Sequence, residues 1–112
     1  MVRVTCIVRP HRLEAVKSAI ATLPISGMTV TDVRGTGNSP ERAAWLGGEA
    51  HLVALPLRSR VEVVLENDLA EPMIELILLA AHTGEPGDGK IFVEPIQDAI
   101  RIRTQERGSA AI

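Results

Sequence analysis

The chain has 112 residues, a formal net charge of −2, 46% apolar residues, one Trp, one Phe and no Tyr. Its length suits one compact domain and its apolar content argues against disorder, so a single domain over residues 1–112 with an aliphatic core is expected. A slight acidic excess and two aromatic rings exclude the cationic, base-stacking surface of a nucleic-acid binder. No apolar run approaches the roughly 20 residues of a membrane span, charges interrupt the N-terminal segment where a signal peptide needs an apolar one, and the lone Cys6 excludes an intrachain disulfide framework; a cytoplasmic protein without membrane insertion is expected.

From Val2 to Val8 the residues Val2, Val4, Cys6 and Val8 alternate with Arg3, Thr5 and Ile7, the period of a strand with one apolar face. Pro10 ends it, and Leu13, Val16, Ile20 and Leu23 recur at steps of three and four, which predicts an amphipathic helix closed by Pro24. Met28 to Arg34, rich in Thr and Val after the turn-forming Gly27, reads as a second strand. Between Gly35 and Pro56 no period is visible, and a loop over about residues 37–55 is expected; aperiodic segments this long usually carry function. Arg58 to Leu65 alternates again as a third strand. Asp68 followed by Glu71 has the capping-box spacing, Met73, Ile74, Ile77 and Ala81 form the stripe of a second helix, and Pro72 fits in its first turn. Gly84 is a helix stop, GEPGDG a turn-rich loop, and Ile91 to Val93 a fourth strand. Ile100 to Thr104 reads as a short final strand with Arg101 and Arg103 on one face, and the tail from Gln105 as frayed.

The order is β-α-β-β-α-β with a short C-terminal strand, an α+β ferredoxin-like pattern with an antiparallel sheet and both helices on one face. The other face, where Ile7 and Val64 stand among Arg, Thr and Glu, is half apolar and suits a subunit interface.

Three features could carry chemistry. The run from Gly84 to Lys90 has the glycine and lysine spacing of a P-loop, but Ile91 replaces the Mg²⁺-binding hydroxyl residue and the run leads from helix to strand, so a Walker A motif is excluded. Glycines at 84, 87 and 89 still let main-chain N–H groups approach an anion beside Lys90; the alternative is a plain helix-to-strand turn. Arg101 and Arg103 could grip phosphate oxygens, or could be the charges of a solvated strand edge. Trp45 either folds back on the body or marks a partner surface. The three histidines, His11, His51 and His82, lie in unrelated segments, and no nucleophile–base arrangement is legible, so an enzyme is not expected. His51 with Glu49 or Glu41 leaves a metal-ion sensor open.

Taken together, the stretches IVRPHRLEAVKSAI, GMTVTDVRGTG and TGEPGDGKIFVEPIQDAIRIRT resemble the PII signal-transduction proteins, trimeric nitrogen and carbon sensors, along the whole chain. The resemblance implies a homotrimer with ATP or ADP, with or without Mg²⁺, in clefts between subunits. Gly87, Asp88, Gly89 and Lys90 would line the phosphates, and Arg101 and Arg103 would reach them across the interface. Ile7, Met28, Thr29, Glu62 and Val64 would surround the adenosine, and Gly35, Thr36 and Gly37 would complete the site. The long loop would be the family's T-loop, docking on a membrane transporter or metabolic enzyme, with Trp45 and His51 as partner-binding residues. Arg58 matches the basic residue that pairs with 2-oxoglutarate, but Asn38 and Ser39 replace the usual Arg-Gln, so a metal bridge to that effector does not carry over. His51 stands at the usual tyrosine and Glu49 at the serine that some members phosphorylate; without any Tyr, control by tyrosine nucleotidylation is chemically impossible. The alternatives are a small-anion or metal-ion sensor, and a weak nucleotide hydrolase with Glu62 as base.

Overall fold

Alternation in the first segment becomes an inner strand of a four-stranded sheet in a computed structural model that describes residues 1–37, 43–46, 50–53 and 55–112. Strand β1 (Val2–Val8) leads through a 3-10 turn at Pro10–Arg12 into α1 (Leu13–Ile20), and β2 (Thr29–Arg34) follows. Two short strands, β3 (Ala43–Leu46) and β4 (Ala50–Val53), precede β5 (Leu57–Leu65), α2 (Ala70–Ala81) and β6 (Gly89–Pro95). The main sheet is ordered β2-β5-β1-β6 with every pair antiparallel, the ferredoxin-like arrangement expected.

Register assigns the two faces. Val4 lies opposite Val63 and Val93, and Cys6 opposite Val61 and Ile91, on the face that the helices cover. Val16 and Ile20 of α1 and Met73 and Ile77 of α2, spaced at four, close over these residues and are at most 2% exposed. Fully burying each such side chain contributes about 1.5 to 3 kcal/mol. The opposite face carries Ile7 in a row with Arg60 and Lys90, Thr5 with Glu62 and Phe92, and Arg3 with Val64 and Glu94. Arg3 pairs with Glu94 at 2.8 Å, and Arg60 pairs with Glu62. Ile7 and Val64 are half-buried there.

Four expectations are corrected. The capping box at Asp68 does not form: the chain enters α2 through a 3-10 turn at Asn67–Leu69, closed by Leu69 N–H donating to the Glu66 carbonyl at 3.0 Å, and no side chain caps the helix. Asp68 is thereby drawn into helical geometry, away from the extended conformation of an N-cap. The strand at Ile100–Thr104 is absent: Ile100 makes one bridge, to Arg107, and the Gln105 N–H donates to the Arg101 carbonyl at 2.7 Å in a turn with φ +63° at Gln105. The segment therefore pairs with its own continuation instead of joining the sheet, and Arg101 and Arg103 do not share a strand face. The tail is not frayed either. Asp98 accepts from the Arg107 guanidinium at 2.8 Å and the Gly108 N–H at 3.2 Å, and a 3-10 turn follows at Gly108–Ala111. Finally, the aperiodic segment contains a strand pair: β3 and β4 are antiparallel, with Trp45 opposite His51.

Candidate functional site

At the mouth of the sheet, three segments meet: the end of β2 running into Gly35–Gly37, the start of β5, and the loop from α2 into β6. They enclose a cleft of about 510 Å³, within the range of small-molecule sites. Its lining includes Ile7, Gly35, Thr36, Gly37, Arg58, Gly87, Asp88, Gly89 and Lys90. Nine of the site positions anticipated from sequence thus converge within one chain. Glu85 and Phe92 also line the cleft and were missed.

The loop's shape follows from its glycines and from Asp88. Gly89 has φ +115°, and a Cβ there would overlap the carbonyl oxygen of Ile7 and come within 2.8 Å of its carbonyl carbon, so only glycine lets β6 start this close to β1. The Asp88 carboxylate turns back on the loop. One oxygen accepts from the Thr83 N–H at 2.8 Å and the Gly84 N–H at 3.0 Å; the other accepts from the Thr83 hydroxyl and from Arg9 Nε at 3.2 Å. Its four acceptor positions are filled. These bonds, the Thr83 hydroxyl foremost, hold its carboxyl well below the usual carboxylate range despite partial desolvation. Arg9 also donates through Nη2 to the Pro86 carbonyl at 2.6 Å, and Arg12 to the His82 carbonyl at 3.3 Å.

On the facing wall, the Gly35 N–H donates to the Pro56 carbonyl at 3.1 Å and Arg34 Nη1 to the Leu55 carbonyl at 3.4 Å, which ties together the two ends of the long segment. Arg58 is buried and donates to the Leu57 carbonyl at 3.0 Å, while Lys90 is exposed at the rim. Arg9 compensates the charge of Asp88, and Arg58, Glu85 and Lys90 also stand in the lining.

The other anticipated residues stand elsewhere in the single chain. Thr29 lies opposite Glu62 and Val64 opposite Arg3 on the open sheet face, and Met28 packs against the core edge. Arg101 is held by Glu106 at 3.2 Å in the C-terminal turn, and Arg103 is exposed beyond it. The side chains of Trp45 and His51, and Asn38, Ser39, Pro40, Glu41 and Glu49 entirely, lie outside the described residues. Among the described residues no group of three or more His, Cys, Asp or Glu is placed to hold a metal ion, and no helix is long and apolar enough to cross a membrane. Phe92 could have been found from sequence, because alternation puts it on the same strand face as Lys90. Arg9 carried no comparable signal: its partners are 77 and 79 positions away.

The profile of the family described as "Nitrogen regulatory protein P-II" matches residues 1–106. Similar curated proteins include the "Nitrogen regulatory protein P-II" of Azospirillum brasilense, 41% identical over 112 residues covering all of both chains. The protein of the same name from Microchaete diplosiphon is 38% identical over all of both chains. The "Nitrogen regulatory protein P-II homolog" of Arabidopsis thaliana is 45% identical over 97% of this chain and 56% of its own length.

Proposed function

Since the chain belongs to the nitrogen regulatory protein P-II family of regulatory signalling proteins, we propose that it binds ATP and ADP in the cleft described above and signals through the segment at residues 37–55. The observation that carries this reading is the meeting of the Gly87–Lys90 loop with Gly35–Gly37 and Arg58 around about 510 Å³. Glycines without side-chain bulk, main-chain N–H groups and cations are the ingredients of a phosphate site. Asp88 has its acceptor positions filled by the loop and Arg9, so any Mg²⁺ would be held by the phosphates.

The open sheet face with Ile7 and Val64 would assemble a homotrimer. Thr29, Glu62, Val64 and Met28 would then meet the adenosine, and Arg101 and Arg103 would reach the phosphates of a neighbouring subunit. ATP and ADP would shift the T-loop by binding one of its states better than the other. The T-loop, with Trp45 and His51, would dock on a transporter or metabolic enzyme in the cytoplasm. A hydrolase reading gains nothing from the geometry, because Glu62, its only named base, pairs with Arg60 away from the cleft lining.

The test is calorimetric titration of the unaltered chain and of Lys90→Ala. Loss of one charge-assisted hydrogen bond should weaken ATP by about 10- to 150-fold, equivalent to about 1.5 to 3 kcal/mol, and leave adenosine unchanged. No heat from ATP at millimolar concentration would overturn the reading.

A further inference from the structure

We propose that Arg9 is a positioning residue for the anion loop: acting through Asp88 and the Pro86 carbonyl, it fixes the shape in which Gly87, Gly89 and Lys90 meet a phosphate. The inference rests on the nucleotide reading above and adds to it a residue that does not itself line the cleft. Arg9 follows Val8, whose register partner is Gly89, so its backbone is anchored by the same strand pair that starts β6. From there the guanidinium reaches the loop at two points, Asp88 Oδ1 at 3.2 Å and the Pro86 carbonyl at 2.6 Å. Both partners of the ion pair are largely withdrawn from water, with side chains 19% and 23% exposed.

Two consequences follow for an anion. A carboxylate on the phosphate side of the loop would repel the ligand, and Arg9 compensates that charge where it arises. Asp88 in turn gathers the Thr83 and Gly84 N–H groups, which fixes the first turn of the loop and removes from the binding event the cost of ordering it. The planar fork of arginine makes both contacts at once, whereas the single ammonium of lysine supplies charge at one point.

The experiment titrates the unaltered chain, Arg9→Lys, Arg9→Ala, Asp88→Asn and the Arg9→Ala/Asp88→Asn double variant with ATP, inorganic tripolyphosphate and adenosine, and follows each by thermal unfolding. Arg9→Ala should lose about tenfold or more in affinity for ATP and tripolyphosphate but not for adenosine, and Arg9→Lys should fall between it and the unaltered chain. The double variant should lose less than the sum of the single losses. A merely structural residue would lower the unfolding temperature without separating phosphate from adenosine. If Arg9→Ala does not fold, Arg9→Lys and Asp88→Asn carry the same comparison. ATP affinity unaltered in a folded Arg9 variant, or losses equal for adenosine and tripolyphosphate, overturns the inference alone. Absence of ATP binding to the unaltered chain overturns the nucleotide reading and this inference with it.

Discussion

Substituting Gly89 by alanine tests whether the anion loop and the sheet are geometrically locked together. At φ +115° an L-residue is strained by about 1 to 3 kcal/mol. The new Cβ would also overlap the Ile7 carbonyl oxygen, and this obstacle is backbone of the strand paired on both sides, so it cannot swing away as a side chain would. Relief requires the start of β6 to separate from β1 and weakens the Val8–Gly89 pairing, a further loss of about 0.5 to 1.5 kcal/mol. The expected destabilisation is therefore about 1.5 to 4.5 kcal/mol. The assay is urea unfolding at one fixed protein concentration, so that any self-association enters every curve equally. Gly27→Ala is the control: nothing lies within 4 Å of its new Cβ and its φ is not positive, so it should stay within about 0.5 kcal/mol of the unaltered chain. Coincident unfolding curves for Gly89→Ala and the unaltered chain would refute the reasoning.

Met73→Ala should destabilise by about 2 to 5 kcal/mol in the same assay, because Met73 is 0% exposed between the helices and the sheet. Cys6 is 1% exposed and burial pushes its thiol up to about 11, so iodoacetamide should label it at neutral pH only as fast as the chain unfolds; rapid labelling of the folded protein contradicts this. Asp88 has a depressed pKa, so its contribution is complete above the ordinary carboxylate value of 3.8 and is lost as pH falls below it. The stability gap between the unaltered chain and Asp88→Asn should accordingly narrow between about pH 5 and pH 2, and a gap that stays constant over that range contradicts the clasp.

How much of this was legible in the sequence depended on whether the signal was local. Strand alternation in Val2–Val8 and in Arg58–Leu65, and the stripes Val16–Ile20 and Met73–Ile77, are local patterns that directly reflect burial, and the sheet order follows from their sequence. The Gly84–Lys90 run was recognisable because its clustered glycines and Pro86 mark a turn leading into the strand that starts at Gly89. The failures have one cause, competition that spacing does not record. Asp68 has the capping-box spacing, but a 3-10 turn takes it into helical geometry. Arg101 and Arg103 alternate as strand residues do, yet a hairpin-like return to Arg107 satisfies that backbone. Asp88 lines the cleft, and what its place in the motif does not record is that four donors, one of them from Arg9 at the far end of the chain, engage its carboxylate. The strand pair of β3 and β4 had a signal that was passed over, the Gly47-Gly48 pair between two short apolar runs.

The central claim is that a nucleotide's phosphates sit between the Gly87–Lys90 loop and Gly35–Gly37. A crystal structure of the protein grown with ATP tests it most directly. The account predicts phosphate density against the main chain of Gly87 to Lys90, with Lys90 turned onto it and the Arg9–Asp88 pair intact. Nucleotide density elsewhere, for instance in the apolar groove of about 580 Å³ formed by Ile74, Leu78 and Leu79 against Ile91, would contradict it.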